Sequence, residues 1–107
     1  MEAVKIGNIK KSTTGTFPVI GTITRKERTQ RSTWREHALS TLEDETGSML
    51  LNLWRDQIDQ VQVGDKIFLK AAFAKSHKGS YQLSTWEEKI EVLEHVRNET
   101  KIKNVTN

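Results

Sequence analysis

The sequence predicts an all-β domain, a small antiparallel barrel of five short strands, on three observations. Apolar and polar residues alternate with a period of two in several short runs, as in "SMLLNLW" and "YQLST". Clusters of turn-forming residues such as "DETG", "VGD" and "SHKGS" separate those runs. Hydrophobic residues make up only 35% of the 107 positions while charged residues reach 29%, so the core is small and the surface strongly charged. A barrel suits that balance better than a thick sandwich.

"TFPVIGTITRKERTQ" alternates Phe17, Val19 and Ile23 with more polar residues and reads as the first strand. Gly21 interrupts it, and a strand that turns a barrel corner needs such a bend or bulge. The following "RKERTQRSTWRE" is a basic, exposed connection, with Arg25, Lys26, Arg28, Arg31 and Arg35 against Glu27 and Glu36. The second strand, "HALSTLE", runs into the tight turn "DETG". In the third, "SMLLNLW", Met49, Leu51 and Leu53 point to one face and Leu50, Asn52 and Trp54 to the other. "DQIDQVQVGD" has Ile58 and Val61 at helical spacing, which predicts a short helical turn between strands three and four, closed by Gly64 and Asp65. "KIFLKAAFAK" is the fourth strand and "YQLST" the fifth, with Tyr81 and Leu83 assigned to the core. "WEEKIEVLEHVRNET" fits a helix through Ile90 and Leu93 or a strand through Ile90 and Val92; a short strand is preferred, with a polar tail after Val96. Residues 1–97 are expected to form one domain and residues 98–107 a short polar tail. Five strands with one helical turn match the five-stranded Greek-key OB-fold.

Several function classes are excluded or weakened. The histidines His37, His77 and His95 are far apart in the chain and in no metal-ligand spacing, and no glycine-rich phosphate loop occurs. The absence of cysteine rules out disulfides, thiolate metal sites and thiol nucleophiles, and favours an intracellular chain. Glu43, Asp44 and Glu45 are read as turn residues rather than ligands of a hard cation. "MEAVKIGNIKK" has no long apolar run after a basic start and no run of about 18 apolar residues occurs, so the chain is expected to be soluble and neither secreted nor membrane-spanning. The expectation is a protein without catalytic activity, metal or cofactor.

Seventeen Lys and Arg against fourteen Asp and Glu give a net charge of +3, which leans toward a polyanionic partner. Trp54 faces away from the apolar side of its strand, so it is a candidate platform on which a nucleic-acid base stacks. Phe73 shares parity with Ile67 and Leu69 and is divided between core and platform unless the strand bulges. His77 gains interest from Lys75 and Lys78 beside it, while Arg55 follows Trp54 directly. Arg28 and Arg31 are candidate phosphate contacts, and Trp34 and Trp86 either extend the platform or cap a barrel end.

"IGNIK", "DETGSMLLNLW", "VGDKIFL" and "KGSYQLS" together resemble, in order and spacing, the archaeal single-OB single-stranded-DNA-binding proteins. That family is related to the DNA-binding domains of replication protein A and to small eukaryotic single-strand sensor proteins. The resemblance covers Ile6 to Thr85. It implies that Trp54, Phe73 and His77 stack on bases, and it assigns Phe73 to the DNA face. The family usually carries Trp or Tyr and Phe at the last two positions, so this chain has weaker platforms after Trp54. The family's glycine after the fifth strand is replaced by "TWEE", and its Gly/Arg-rich or acidic tail by "RNETKIKNVTN". The implied partner is single-stranded DNA, with replication or repair proteins beside it, for a monomer in the archaeal cytoplasm and nucleoid. Single-stranded RNA, an anticodon-type tRNA module and a protein-binding scaffold stand as alternatives.

Overall fold

A computed structural model describes residues 2–10, 13–31, 35–86 and 90–95. A 3-10 turn at Ile6–Asn8 precedes β1 (Phe17–Lys26), β2 (Gln30–Arg31), β3 (Glu36–Asp44) and β4 (Gly47–Trp54). Helix α1 (Asp56–Gln60), β5 (Lys66–His77), β6 (Ser80–Thr85) and β7 (Ile90–Glu94) follow. The five strands predicted from sequence are β1, β3, β4, β5 and β6; β2 is a two-residue addition to β3 within the basic connection.

The strands run in the order β1-β3-β4-β6-β5, and β5 pairs again with β1 to close the barrel. Closure makes β1 serve two neighbours. Its first half pairs with β5 through Thr22↔Lys66, and its second half with β3 from Thr22↔Glu43 onward. Gly21 sits at this handover, where a Cβ would lie 2.8 Å from Leu42 Cγ and 3.0 Å from the Glu43 carbonyl. The expected bend is there, with the register slip two residues later, between Ile23 and Arg25.

The expected all-antiparallel arrangement has one exception. β4 and β6 pair in parallel, Leu50 opposite Gln82 and Leu51 opposite Leu83. The reason is geometric: strands around a ring of five cannot alternate direction at every step, so one neighbouring pair must run the same way.

Val19, Ile23, Leu42, Leu51, Leu53, Ile67, Leu69 and Leu83 fill the interior without solvent exposure. Ile58 and Val61 bring the short helical segment into the same core. Lys26 donates from Nζ to the Ile58 carbonyl and, at 2.9 Å, to that of Val61. It thereby satisfies carbonyls that a helix end leaves open. The C-terminal ambiguity is settled as a strand, β7, which pairs Ile67–Leu69 with Val92–Ile90 and buries Ile90. Tyr81 is a correction. It is half-buried and its hydroxyl donates to the Thr13 carbonyl at 3.3 Å, so it sits at the rim, while Leu83 is in the core. The predicted tail at 98–107 lies outside the described residues.

Phe73 owes its position to a bulge. Val19 pairs with Leu69 and Phe17 with Ala72, so Lys70 and Ala71 of β5 oppose Pro18 alone. Side-chain parity reverses there: Ile67 and Leu69 point inward before the bulge, Ala72 after it, and Phe73 turns outward. Pro18 has no N–H to give, which suits the gap in the ladder. The Ala71 carbonyl accepts from the Thr85 hydroxyl at 3.0 Å.

The "DETG" turn anchors the N-terminal segment. Asp44 Oδ2 accepts from the Ile6 N–H at 2.8 Å, and Oδ1 from the Thr46 N–H at 2.7 Å and hydroxyl at 2.5 Å. Gly7 donates to Thr46 Oγ1 at 2.7 Å, and a Cβ on Gly7 would lie 2.8 Å from the Thr46 carbonyl. Partial burial pushes the Asp44 carboxyl upward, but the hydrogen bonds from Ile6, Thr46 and Gly47 outweigh it and hold it below its ordinary value. A carboxylate with a depressed pKa stabilises the fold above its unfolded-state pKa, and that contribution disappears as pH falls through the folded value. Asp44→Asn is therefore expected to cost about 1–2 kcal/mol at neutral pH. Urea unfolding at pH 7 and at successively lower pH checks it, since the gap between wild type and variant should narrow as the pH falls below the ordinary carboxylate range.

Candidate nucleic-acid interface

Outward-facing residues of β3, β4, β5 and β6 enclose a groove of about 360 Å³. It is lined by Arg35, His37, Asn52, Trp54, Phe73, Lys75, His77, Gln82 and Ser84. Among the described residues no carboxylate lines it. A larger cleft of about 860 Å³ near the N-terminal segment is lined by Glu2, Glu43, Asp44 and Glu45 among others, without an aromatic side chain. Size favours the second cleft, but its carboxylates repel a polyanion and it offers no stacking surface, so chemistry favours the first.

Trp54 ends β4, and its position is fixed through the backbone. Its N–H donates to Gln57 Oε1 at 2.9 Å, and buried Gln57 passes on a bond from Nε2 to the Thr85 carbonyl at 3.0 Å. Gln57 thus ties the ends of β4 and β6 together. Arg55 then takes a positive φ of 50°, which turns the chain into α1, while its N–H donates to the Glu36 carbonyl at 3.0 Å. On the side-chain level, the His37 ring lies 4.3 Å from the Trp54 ring, tilted by 34°. The Arg35 guanidinium stands 5.1 Å over the indole, a cation–π arrangement.

Across the groove, Phe73 meets Trp86 at 5.6 Å between ring centroids and 42° between planes. Trp86 is 59% exposed, a large apolar surface in water. Between these aromatic groups runs a polar floor. Asn52 Oδ1 faces His37 Nε2 at 2.6 Å, and Asn52 Nδ2 donates to Gln82 Oε1 at 2.8 Å and to the Leu83 carbonyl at 3.3 Å. The β5–β6 turn is a two-residue hairpin of Lys78 and Gly79 with φ of 50° and 83°, the positive pair of a type I′ turn.

Of the residues singled out from sequence, Trp54, Phe73, Lys75 and His77 come together in the groove, and Trp86 joins through Phe73. Lys78 is exposed at the hairpin tip and Arg55 at the β4–α1 junction, both beyond the lining. Arg28 is exposed in the connection after β1, and Arg31 is engaged with Glu36 at 3.2 Å. Trp34 lies outside the described residues. Sequence reasoning missed Arg35, His37 and Gln82, and it set the histidines apart although His37 and His77 line one groove. The signal was available in the hairpin: the two-residue turn pairing Asp44 with Gly47 places His37 opposite Trp54 when one counts back along both strands. Among the described residues no group of His or carboxylate side chains is arranged to hold a metal ion. No described helix is long and apolar enough to cross a membrane.

A five-stranded closed barrel with this strand order and a helical segment between β4 and β5 defines an OB-fold. The chain belongs to the Ssb-like single-stranded-DNA-binding protein family of OB fold, whose model matches residues 12–94. No curated protein sequence matches it. Among solved structures, an OB domain from Thermoplasma acidophilum is 24% identical with a TM-score of 0.66, covering 88% of this chain and 86% of that one. The replication factor A related protein of Methanobacterium thermoautotrophicum is 20% identical with a TM-score of 0.66, covering 86% and 91%. The second OB-fold domain of replication protein A from Methanococcus maripaludis is 18% identical with a TM-score of 0.62, covering 89% and 98%. At these identities the likeness is one of fold. Family membership supports a nucleic-acid-binding OB module with single-stranded nucleic acid as its partner.

Proposed function

We propose that the chain binds single-stranded DNA along the groove between Trp54 and Phe73, with little sequence preference and no catalysis, protecting strands exposed in replication, recombination or repair. The observation that carries this reading is the pairing of two aromatic platforms with a groove lined by Arg35 and Lys75 and, among the described residues, by no carboxylate. Bases leave one another's stacking for the indole of Trp54 and the ring of Phe73, each contact worth about 1–3 kcal/mol. His77 and Trp86 extend the platform at its two sides. Arg35 and Lys75 take phosphates near the bases, and Arg55, Lys78, Arg28 and Arg31 take them at the periphery. Cofactors have no part in this mechanism.

Phosphate neutralisation releases counterions, so the logarithm of affinity falls with the logarithm of salt by about 0.7 per phosphate on a single strand. Lys75→Ala is expected to reduce that slope by about 0.7, one phosphate's share. The test is a titration with oligo-dT, oligo-U and duplex DNA at several salt concentrations, followed by tryptophan fluorescence. Quenching by oligo-dT with weak response to duplex is the expected result, and the oligo-U curve measures how far RNA competes. Absence of quenching and of binding at low salt overturns the reading.

A further inference from the structure

The hydrogen on the His37 ring is located by one backbone atom. The Leu83 carbonyl only accepts, so the Asn52 atom 3.3 Å from it is the amide nitrogen. Asn52 Oδ1 therefore faces His37 at 2.6 Å, and Nε2 of the imidazole carries the hydrogen between them. In that tautomer a second proton goes to Nδ1. Charging the ring thus does not require it to leave Asn52 or the Trp54 ring 4.3 Å away. Around it, Arg35 is two residues back on the chain, and Lys75 and His77 of β5 line the same groove. Uncharged Gln30 of β2 lies opposite His37, and β4 and β6 bring only uncharged side chains to the groove among the described residues. Its chain neighbour Glu36 is engaged with Arg31 at 3.2 Å. An imidazolium here meets cations and, among the described groove residues, no carboxylate, so the phosphate of a bound strand is the anion that favours it.

We infer that a single strand takes up a proton at His37 Nδ1 as it binds, so that the groove holds DNA more tightly at mildly acidic than at mildly alkaline pH. This rests on the single-strand reading above. Imidazole is the side chain whose charge changes between about pH 5 and 8. Proton and strand are two ligands of one site, and each raises the affinity for the other by the same factor. Affinity therefore rises as pH falls. The charged ring also neutralises a further phosphate, so the log–log salt slope steepens by about 0.7 when His37 is protonated.

The test measures Kd between about pH 8 and pH 6 for wild type and His37→Gln, using oligo-dT because thymine does not titrate in the imidazole range. Glutamine keeps an N–H for Asn52 Oδ1 and takes no proton. Wild-type Kd should fall about threefold to tenfold over that range, the equivalent of one hydrogen bond, with the steeper salt slope at the acidic end. His37→Gln should lose both changes, whatever its affinity near pH 8. His77 and His95 carry imidazoles too, so a pH dependence kept in His37→Gln overturns the assignment of His37, and so does a flat wild-type profile. If the variant does not fold, the ring-proton NMR signal of His37 in wild type decides: its titration should move to higher pH on adding oligo-dT, and an unmoved midpoint overturns the inference. If wild type binds no single strand at any pH, the single-strand reading itself has failed, a separate result.

Discussion

Trp54→Ala should weaken binding to oligo-dT by about 1–3 kcal/mol, roughly 5-fold to 150-fold in Kd, while leaving the barrel folded. The indole leans on His37 and lies beneath Arg35 at the groove, and none of its atoms belongs to the core cluster. What ties residue 54 to the fold is its backbone N–H, donated to Gln57, and alanine keeps that bond. Removing the ring therefore separates binding from stability, which is uncommon for a tryptophan. Trp54→Phe should retain much of the affinity because a flat ring persists. Anisotropy of a labelled oligo-dT measures the affinity and thermal melting checks the fold. Wild-type affinity in Trp54→Ala would mean that Trp54 plays no stacking part.

The fold was legible because two simple periodicities agree with the structure over most of the chain. Alternation in "SMLLNLW" assigned Leu51 and Leu53 to the core, and both are fully buried. Helical spacing of Ile58 and Val61 found α1. Failures arose where local geometry breaks a period. Parity counted from Ile67 and Leu69 sends Phe73 inward; the extra residue at Lys70–Ala71 turns it outward, and a period-two rule has no means of counting an extra residue. The parallel β4–β6 pair was illegible for another reason, since it follows from ring closure rather than from either strand's sequence.

The candidate groove divides along the same line. Trp54 stood out because its strand already has a complete apolar face, a local fact. Gln82, two residues after a turn and next to Leu83, has no local distinction; its environment comes from Asn52, thirty positions away. His37 is a surface residue in sequence terms and a groove residue only through pairing with Trp54. Arg28 and Arg31 were chosen as members of a charge run, and such runs spread over a loop instead of converging. Convergence is a property of the barrel.

Deleting Ala71 is expected to straighten β5 while leaving Phe73 on its outer face, because it removes the extra residue of the bulge. Lys70 then opposes Pro18 one to one and Ala72 still opposes Phe17, so alternation from Leu69 keeps Ala72 inward and Phe73 outward. The pairs from Ala72↔Thr85 to His77↔Ser80 keep their register. The costs are local: the Thr85 hydroxyl loses the Ala71 carbonyl, and β5 loses the bend and added twist that a bulge supplies. Leaving a buried hydroxyl without its partner costs about 1–3 kcal/mol. Because a domain of this size has only about 5–15 kcal/mol to lose, that is a sizeable share of its stability. Thermal unfolding followed by circular dichroism should show a melting point lower by roughly 4–8 °C per kcal/mol. Oligo-dT binding should persist below the transition, since Trp54 and Phe73 still face the groove. Ala71→Gly is the control: it keeps the residue count and the carbonyl, so its melting point should drop less. Loss of oligo-dT binding in a deletion variant that remains folded would mean that the bend itself, and not alternation alone, sets the position of Phe73.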